Sequence, residues 1–354
     1  MEKALSGLRE DANDFYVPRV IKRTKGPITA LAFLRDYVTP NVPVIITGLV
    51  DDWPAMRKWG DDDYLCDTIG RETSVTVAAT PCGRADAVHT REEDNVEYFV
   101  MPEERAMTVQ NALSHMRQSA STNLSSEEST DDILYVQTQN GNLATEFEAL
   151  AKDVEEELPF ASEAFGQKPD AVNLWIGTHL STSSLHKDHY ENLYVVIQGE
   201  KHFTLLPPTD VPYLHTQEFP PAIYSKHTDT HTWSVQPQTD TDKVPWIPVD
   251  TDKPDLQKFP KFKLATPVRC TVKPGEMLYL PAMWYHQVSQ SSTNGDPVIA
   301  VNYWYDMAFD VKYCYWRYAG RDVSRRRYKY VRSHPLIASY WYGKGQSCMS
   351  VCVV

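Results

Sequence analysis

From Ala171 onward, the chain becomes a succession of short strand-like segments separated by turns. The segments are rich in β-branched and aromatic residues or alternate apolar with polar residues, as β-strands do. The predicted strands are residues 171–177, 183–197, 201–206, 268–272, 276–280, 285–289 and 298–305. Gln198-Gly199-Glu200 predicts a hairpin turn between two of them. Strands in this number and spacing predict a β-sandwich or a jelly roll.

The region before residue 171 mixes helix and strand signals. Thr29 can cap a helix whose apolar residues Leu34, Tyr37 and Val38 share one face, and Pro40 ends it. The other predictions are a strand over residues 42–46, a helix after Thr108, a loop over 117–132, a strand over 133–137, and a helix marked by Leu143, Phe147, Leu150 and Val154. Residues 207–266 contain many prolines and little periodicity, which predicts an excursion between two barrel strands.

Polar side chains follow an alternating pattern within residues 183–197. Side chains alternate sides along a strand, so one face is expected to carry His186, Asp188, Tyr190, Asn192 and Tyr194, and the other Lys187, His189, Glu191 and Leu193. Burying the first set without partners would cost several kcal/mol. Together with His286, which follows the turn at 281–284, His186 and Asp188 form the ligand set of the two-histidine-one-carboxylate triad that holds Fe(II). After the hairpin, Lys201 can place an ammonium in the same barrel, with Phe203 and Leu205 on its face.

Other histidines offer weaker alternatives for the metal site. His189 with Glu191 lies on the strand face opposite Asp188. His227, Asp229 and His231 have alternate spacing, but they lie in the excursion without apolar alternation around them. His179 and His202 are expected to be packing or surface residues. A metal-dependent oxygenase built on His186, Asp188 and His286 is therefore the leading hypothesis.

The composition limits the remaining possibilities. With 42% hydrophobic residues among 354, the chain is expected to fold as a globular protein. Six cysteines without a CxxC pair disfavour a zinc ribbon or a disulfide framework and fit a reducing compartment. The N-terminus lacks the apolar core of a signal peptide, and no run of about 18 apolar residues predicts a membrane span.

The net charge of −12 is unevenly distributed. Residues 317–354 carry eight Lys and Arg against one acid, Asp322, so the tail has a charge of +7 and the remainder −19. An acidic body favours a basic protein or peptide partner over nucleic acid. The basic run at 325–332 is the exception, since such a run can serve as a nuclear address or a nucleic-acid patch.

The sequence resembles the JmjC family of Fe(II)- and 2-oxoglutarate-dependent oxygenases over roughly residues 15–315. The matching motifs are residues 185–194, 199–203, 244–248, 275–282 and 302–307, together with Trp53-Pro54-Ala55, Trp59 and residues 85–88. The resemblance implies an α+β, mainly β fold with a double-stranded β-helix (jelly-roll, cupin-like) core and flanking N-terminal helices. The implied catalytic unit, residues 1–315, consists of an N-terminal region over 1–170 and a core over 171–315 that contains the insert 207–266. A basic tail, residues 316–354, follows this unit.

The resemblance also implies the roles of individual residues. His186, Asp188 and His286 are the implied iron ligands, and Lys201 pairs with the distal carboxylate of 2-oxoglutarate. Tyr135 and Ser183 resemble hydroxyl donors to that carboxylate, while Asn192 and Asn302 line the cosubstrate pocket or serve as structural hydrogen-bonding residues. The implied cofactors are Fe(II), 2-oxoglutarate and O2.

By the same resemblance, the reaction is C3 hydroxylation of a lysine in a protein substrate, with developmentally regulated GTP-binding proteins as the substrate class. Glu191 and Glu200 are near the site in sequence, but acids on an exposed face are expected to be solvated rather than to bind the substrate ammonium. The alternatives are a metallopeptidase acting on basic tails, a non-catalytic cupin-like binding module, and a histone demethylase. The expected location is the cytoplasm, with the nucleus second. A homodimer is implied, although the sequence departs from the family after Tyr315.

Overall fold

The computed structural model describes residues 2–121, 132–139, 141–293 and 295–320. The strands are β1 Lys22–Lys25, β2 Val44–Thr47, β3 Ser74–Thr80, β4 Ala87–Arg91, β5 Val96–Met101, β6 Glu103–Thr108, β7 Ile133–Tyr135, β8 Ala171–Gly177, β9 Ser183–His186, β10 Tyr190–Gln198, β11 Glu200–Leu206, β12 Gln217–Phe219, β13 Pro221–Lys226, β14 Trp233–Pro237, β15 Val244–Trp246, β16 Val268–Val272, β17 Glu276–Leu280, β18 Tyr285–Ser291 and β19 Val298–Asp306. The α-helices are α1 Glu2–Phe15, α2 Ala30–Phe33, α3 Ala55–Lys58, α4 Asp62–Ile69, α5 Val109–Ser121, α6 Pro159–Phe165 and α7 Val311–Ala319.

Two sheets form the centre of the fold. The larger has the order β1-β2-β17-β10-β19-β8 and the smaller β16-β11-β18-β9. Along the chain, the strands after Ala171 pass repeatedly from one sheet to the other, which makes a double-stranded β-helix. The predicted α+β, mainly β fold with a jelly-roll core and flanking helices is therefore confirmed.

Alternation along β10 buries both faces of the larger sheet. Tyr194 and Val196 pack between the two sheets with Phe203 of β11. Leu193 and Val195 face the other way, into the core shared with the N-terminal helices. Fully burying such a side chain stabilises the fold by about 1.5–3 kcal/mol. The helices thus cover the larger sheet and leave the space between the sheets for the polar residues of the site.

The predicted strand over 183–197 is wrong as a single element. The chain leaves the smaller sheet after His186 and enters the larger one at Tyr190. At the crossing, backbone carbonyls lose their strand partners, and nearby loop amides replace them: Met283 N donates to Asp188 O at 3.0 Å, and Met307 N donates to His189 O at 3.3 Å.

Two further predictions in the N-terminal region are corrected. The loop expected from residue 117 begins later, because α5 continues to Ser121, and Arg117 on its last turns binds Asp62 and Asp296. The helix expected over 143–154 is instead a pair of 3₁₀ helices, Asn142–Ala144 and Glu148–Asp153. The side chain of Asn142 bonds both backbone groups of Leu174 on the edge strand β8. This contact fixes the segment to the sheet, while Leu143, Phe147 and Leu150 are still buried in the core and Val154 packs against it partly buried.

Residues 207–266 contain more regular structure than the predicted excursion. β13 pairs in parallel with β5 and antiparallel with β14, forming the sheet β14-β13-β5-β4. β12 and β15 form a further pair. The strands are short and contain Pro221 and Pro245, so they leave little periodic signal in the sequence. The insert therefore joins the N-terminal region in one sheet.

The helix predicted from Thr29 is confirmed, since Ala32 N donates to Thr29 Oγ1 at 3.2 Å and the helix continues as a π-helical turn over Leu34–Val38. The turn predicted at Gly199 is present, and its φ of 72° suits glycine, but the predicted hairpin is wrong, because β10 and β11 belong to different sheets and do not pair. The boundary predicted between residues 315 and 316 falls inside α7, and the basic run at 325–332 lies outside the described residues. Within the described ranges, no helix is long and apolar enough to cross a membrane.

Asp153 is a buried carboxylate that joins two helices to the 3₁₀ segment. It accepts hydrogen bonds from Trp59 Nε1 at 3.0 Å and Tyr64 OH at 2.7 Å.

Asp153→Ala would leave the fully buried indole N–H of Trp59 without its acceptor, so we expect the free energy of unfolding to fall by about 3 kcal/mol. Chemical denaturation measures it. The control is Asp67→Ala, which removes an exposed ion pair with Arg71 and should cost less than about 1 kcal/mol. Equal losses in the two variants would refute the role of Asp153.

Candidate metal and cosubstrate site

The pairing of β9 with β18 brings the predicted metal ligands together. His186, the last residue of β9, lies directly opposite His286 of β18. Asp188 lies in the crossing between the sheets, with Oδ2 3.9 Å from His186 Nε2 and 3.6 Å from His286 Nε2. One ligand atom from each residue lies within 4.8 Å of the others. Across the described part of the chain, no other group of three His, Cys, Asp or Glu residues meets this geometry.

Hydrogen bonds to backbone carbonyls orient both imidazoles. His186 Nδ1 is 2.7 Å from Ser184 O, and His286 Nδ1 is 3.1 Å from Trp284 O. A carbonyl only accepts, so Nδ1 carries a proton in both rings, and Nε2 is the nitrogen that each ring directs toward Asp188. Desolvation and the neighbouring His186 lower the pKa of His286 to about 4. The ring is therefore neutral at pH 7, as a metal ligand must be.

The rival histidines lie elsewhere. The ring of His189 packs against Phe309, Tyr313 and Trp316 at α7. The segment 227–231 is an exposed turn between β13 and β14. His202 lies on the outer face of β11, bonded to Thr271 and Ser291, and His179 is exposed. None of these residues belongs to the group formed by His186, Asp188 and His286 among the described residues.

Glu191 is not solvated, so that expectation was wrong. Its carboxylate accepts from Tyr279 OH at 2.7 Å and from Ala282 N at 3.2 Å. Desolvation raises the pKa of the Glu191 carboxyl. The residue holds the 281–284 turn against β10, on the side of the sheet opposite the metal cluster.

Lys201 is a buried ammonium between the sheets, with 1% of its surface exposed. Its Nζ donates to Tyr135 OH at 3.0 Å and to Gln290 Oε1, which lies opposite it in the strand pairing. Both acceptors are neutral. Because desolvation is uncompensated by a nearby carboxylate, it lowers the pKa of Lys201 to about 7. An anion at this position would restore the charged form.

The remaining predicted residues line the pocket that contains the metal cluster. Tyr135, Ser183, Asn192 and Asn302 all line it together with the three metal-cluster residues. Ser183 and Tyr194 lie near the hydroxyl of Tyr135. Asn302 Nδ2 donates to Asn192 Oδ1 at 3.1 Å, and Asn302 Oδ1 accepts from Asn173 and from Trp175 Nε1. The two asparagines are thus members of a structural network as well as lining residues.

Three residues of the site were missed from sequence. Gln290 shares a face of β18 with His286 and Val288, and extending the predicted strand 285–289 by one residue would have found it. Trp246 comes from the insert, and its ring stacks on His186 at 6.2 Å with an interplanar angle of 5°. Asp86 comes from the turn before β4 and faces the pocket. Strand alternation could not find the last two, because both come from outside the core strands.

The donor chemistry fits an iron ion and a dicarboxylate. Two imidazoles and one carboxylate face one side of a pocket, which leaves the other side open. Deeper between the sheets, the ammonium of Lys201 has only neutral acceptors. The pocket can therefore hold a divalent metal at one end and an anionic group at the other.

The comparisons with known proteins agree with this geometry. A family described as "Cupin-like domain" matches residues 30–311. The human protein named bifunctional peptidase and (3S)-lysyl hydroxylase JMJD7 is 43% identical over 90% of this chain and 95% of its own length. Lysine-specific demethylase JMJ32 of Arabidopsis thaliana is 40% identical over 90% of this chain and 91% of its own. JmjC domain-containing protein E of Dictyostelium discoideum is 39% identical over 88% and 91%.

The family match spans most of the chain, and the relatives align over nearly their full lengths. Sequence similarity, the jelly-roll core and the clustered His186, Asp188 and His286 therefore lead to one assignment. The chain belongs to the cupin-like JmjC family and is a 2-oxoglutarate-dependent oxygenase.

Proposed function

We propose that this enzyme is an Fe(II)- and 2-oxoglutarate-dependent protein hydroxylase that acts on C3 of a lysine side chain, with (3S) stereochemistry, in a GTP-binding protein of the developmentally regulated class. The observation that carries the cosubstrate assignment is the buried Lys201 ammonium, whose acceptors are neutral and include Tyr135 in the lining of the pocket that contains the metal-ligand cluster. Support for the lysyl reaction comes from the human relative, whose name includes (3S)-lysyl hydroxylase.

The residues proposed to bind the metal and those proposed to bind the cosubstrate lie at two different ends of the pocket. His186, Asp188 and His286 would hold Fe(II), and Lys201, Tyr135 and Ser183 would bind the distal carboxylate of 2-oxoglutarate. With both bound, the centre supplies C–H oxidation by O2 coupled to decarboxylation of 2-oxoglutarate to succinate. The chain itself orients the ligands through the Ser184 and Trp284 carbonyls and excludes water with its aromatic walls.

Asp188→Ala is expected to abolish Fe(II) binding and succinate release, because it removes the anionic ligand while the two histidines remain. Anaerobic Fe(II) titration and a succinate assay measure the two effects. Asp229→Ala is the matched control, since Asp229 belongs to the exposed His227–His231 segment, and we expect it to bind iron and turn over as the unaltered enzyme does. Iron binding lost in the Asp229 variant and kept in the Asp188 variant would move the metal site to the insert.

Lys201→Met is expected to weaken 2-oxoglutarate binding by about 100-fold, because a buried charged partner is lost, while Fe(II) binding remains. Anaerobic titration of the iron-loaded protein with 2-oxoglutarate measures the affinity. The control is Lys243→Met, which removes an exposed lysine of the insert and should leave the affinity unchanged. Unchanged affinity in the Lys201 variant would contradict the assignment of this lysine.

The affinity for 2-oxoglutarate measured in this titration should also depend on pH. The free enzyme's Lys201 has a pKa of about 7, so above pH 7 the dicarboxylate must bind together with a proton. Its affinity should then fall as pH rises, by up to about tenfold per pH unit. Lys201→Arg keeps its charge throughout and should lose this dependence even if the larger group lowers the affinity. A flat profile in the unaltered enzyme would show that Lys201 is already charged without ligand.

The substrate assignment is tested with synthetic peptides that span each lysine of a developmentally regulated GTP-binding protein. We expect one peptide to gain one oxygen at its lysine, seen by mass spectrometry, with stoichiometric succinate release. The alternative is peptidase activity, because the name of the human relative includes it. Peptide cleavage without 2-oxoglutarate consumption, unaffected by Lys201→Met, would favour the peptidase.

A further inference from the structure

A second acidic residue lies in the pocket beside the metal cluster. Asp86 lines the same cavity as His186, Asp188 and Trp246. Its φ of 49° is left-handed, an arrangement uncommon outside glycine and most tolerated by Asp and Asn. The backbone of Asp86 is held in place, since Asp86 O accepts from Ser184 Oγ, which in turn accepts from Trp246 Nε1 at 3.1 Å.

The carboxylate of Asp86 has no cationic partner among the described residues that line the pocket. Its one hydrogen bond there is a long one, from Gln137 Nε2 at 3.4 Å. The neighbouring Arg84 pairs with Asp250 at 2.9 Å instead. Desolvation raises the pKa of the Asp86 carboxyl to about 6, although the nearby His186 and the hydrogen bond from Gln137 lower it in part. No lysine or arginine is among the described residues that line the pocket, so the carboxylate of Asp86 is available to a cationic group that enters it.

Aromatic rings form the wall next to this carboxylate. Phe99 and Trp246 have ring centroids 4.6 Å apart, and both line the pocket. Rings of this kind pack against methylene groups and also favour a cation near their faces. The wall and Asp86 together match a side chain with an apolar stem and a cationic end.

We infer that Asp86 binds the ε-ammonium of the substrate lysine and so selects lysine over neutral side chains. This rests on the proposed lysyl hydroxylation. The ammonium lies at the far end of the lysine side chain, with the methylene groups between it and C3. When Asp86 holds the ammonium, the stem lies along Phe99 and Trp246, and the carbon to be oxidised is directed toward the metal cluster. Asp188 belongs to the metal cluster. Asp86 is the other acidic residue among the described residues that line the pocket, so it is the one available to bind the substrate.

Asp86→Asn tests the charge alone, because asparagine has nearly the same shape and tolerates the left-handed backbone. We expect KM for the hydroxylated lysine peptide to rise about 10- to 100-fold, as for the loss of a hydrogen bond to a charged group. The affinity for 2-oxoglutarate, measured by anaerobic titration, should change less than about twofold. The matched control is Asp240→Asn, an exposed residue with φ of 62°, and it should leave KM unchanged.

A second substrate separates ammonium binding from general damage to the pocket. The best lysine peptide is compared with the same peptide carrying norleucine, which keeps the stem and lacks the ammonium. The unaltered enzyme should prefer lysine about 10- to 100-fold in kcat/KM, and Asp86→Asn should reduce this preference toward unity. If the unaltered enzyme hydroxylates lysine and Asp86→Asn keeps both KM and preference, the inference is overturned and the proposed function stands. If the unaltered enzyme hydroxylates no lysine peptide, the proposed function fails and the inference with it.

Discussion

Strand β18 carries both ends of the candidate site, and the geometry of the site depends on how this strand is paired. On one side it places His286 opposite His186 of β9, and on the other it places Gln290 opposite Lys201 of β11. Residues 286 and 290 share one face, because side chains alternate along a strand. A slip of one residue would turn both outward. The apolar residues buried between the sheets prevent such a slip, so hydrophobic packing fixes the metal and cosubstrate positions before either ligand binds.

In the protein without ligand, the buried amino group of Lys201 bonds only neutral acceptors among the described residues. Lys201 is placed between the sheets at a cost, because burial disfavours its charged form. Tyr135 and Gln290 can bond either an ammonium or an amine, so they tolerate the change in protonation without fixing it. A dicarboxylate that binds here recovers the desolvation cost as binding energy. Since it binds the folded state alone, the cosubstrate should also stabilise the fold.

The sequence predicted correctly which way side chains face where they lie on one uninterrupted strand. Lys201 and Phe203 were placed correctly because β11 alternates without interruption. The grouping of His186 with Asp188 was right, but the reason was wrong, since the strand ends between them and Asp188 reaches the cluster from the crossing. Asn142 shows another limit: its bonds to Leu174 override the helical spacing that follows it. Trp246 and Asp86 depend on sheet pairings between distant segments, which no local pattern contains.

The pocket wall that we propose for the substrate is built by a different region of the chain from the residues around Lys201 and the metal cluster. Lys201, Gln290 and the metal cluster belong to the core strands and the crossing between them, whereas Asp86, Phe99 and Trp246 come from the sheet and strand pairs formed by the N-terminal region and the insert. The two sides meet at Ser184, two residues before His186, whose hydroxyl links Trp246 to Asp86. A change in the insert can therefore move the substrate wall while β11 and β18 keep their register. Such a change could alter which substrate side chain fits the proposed wall without moving the metal ligands. The exception is Trp246, because its ring stacks on His186.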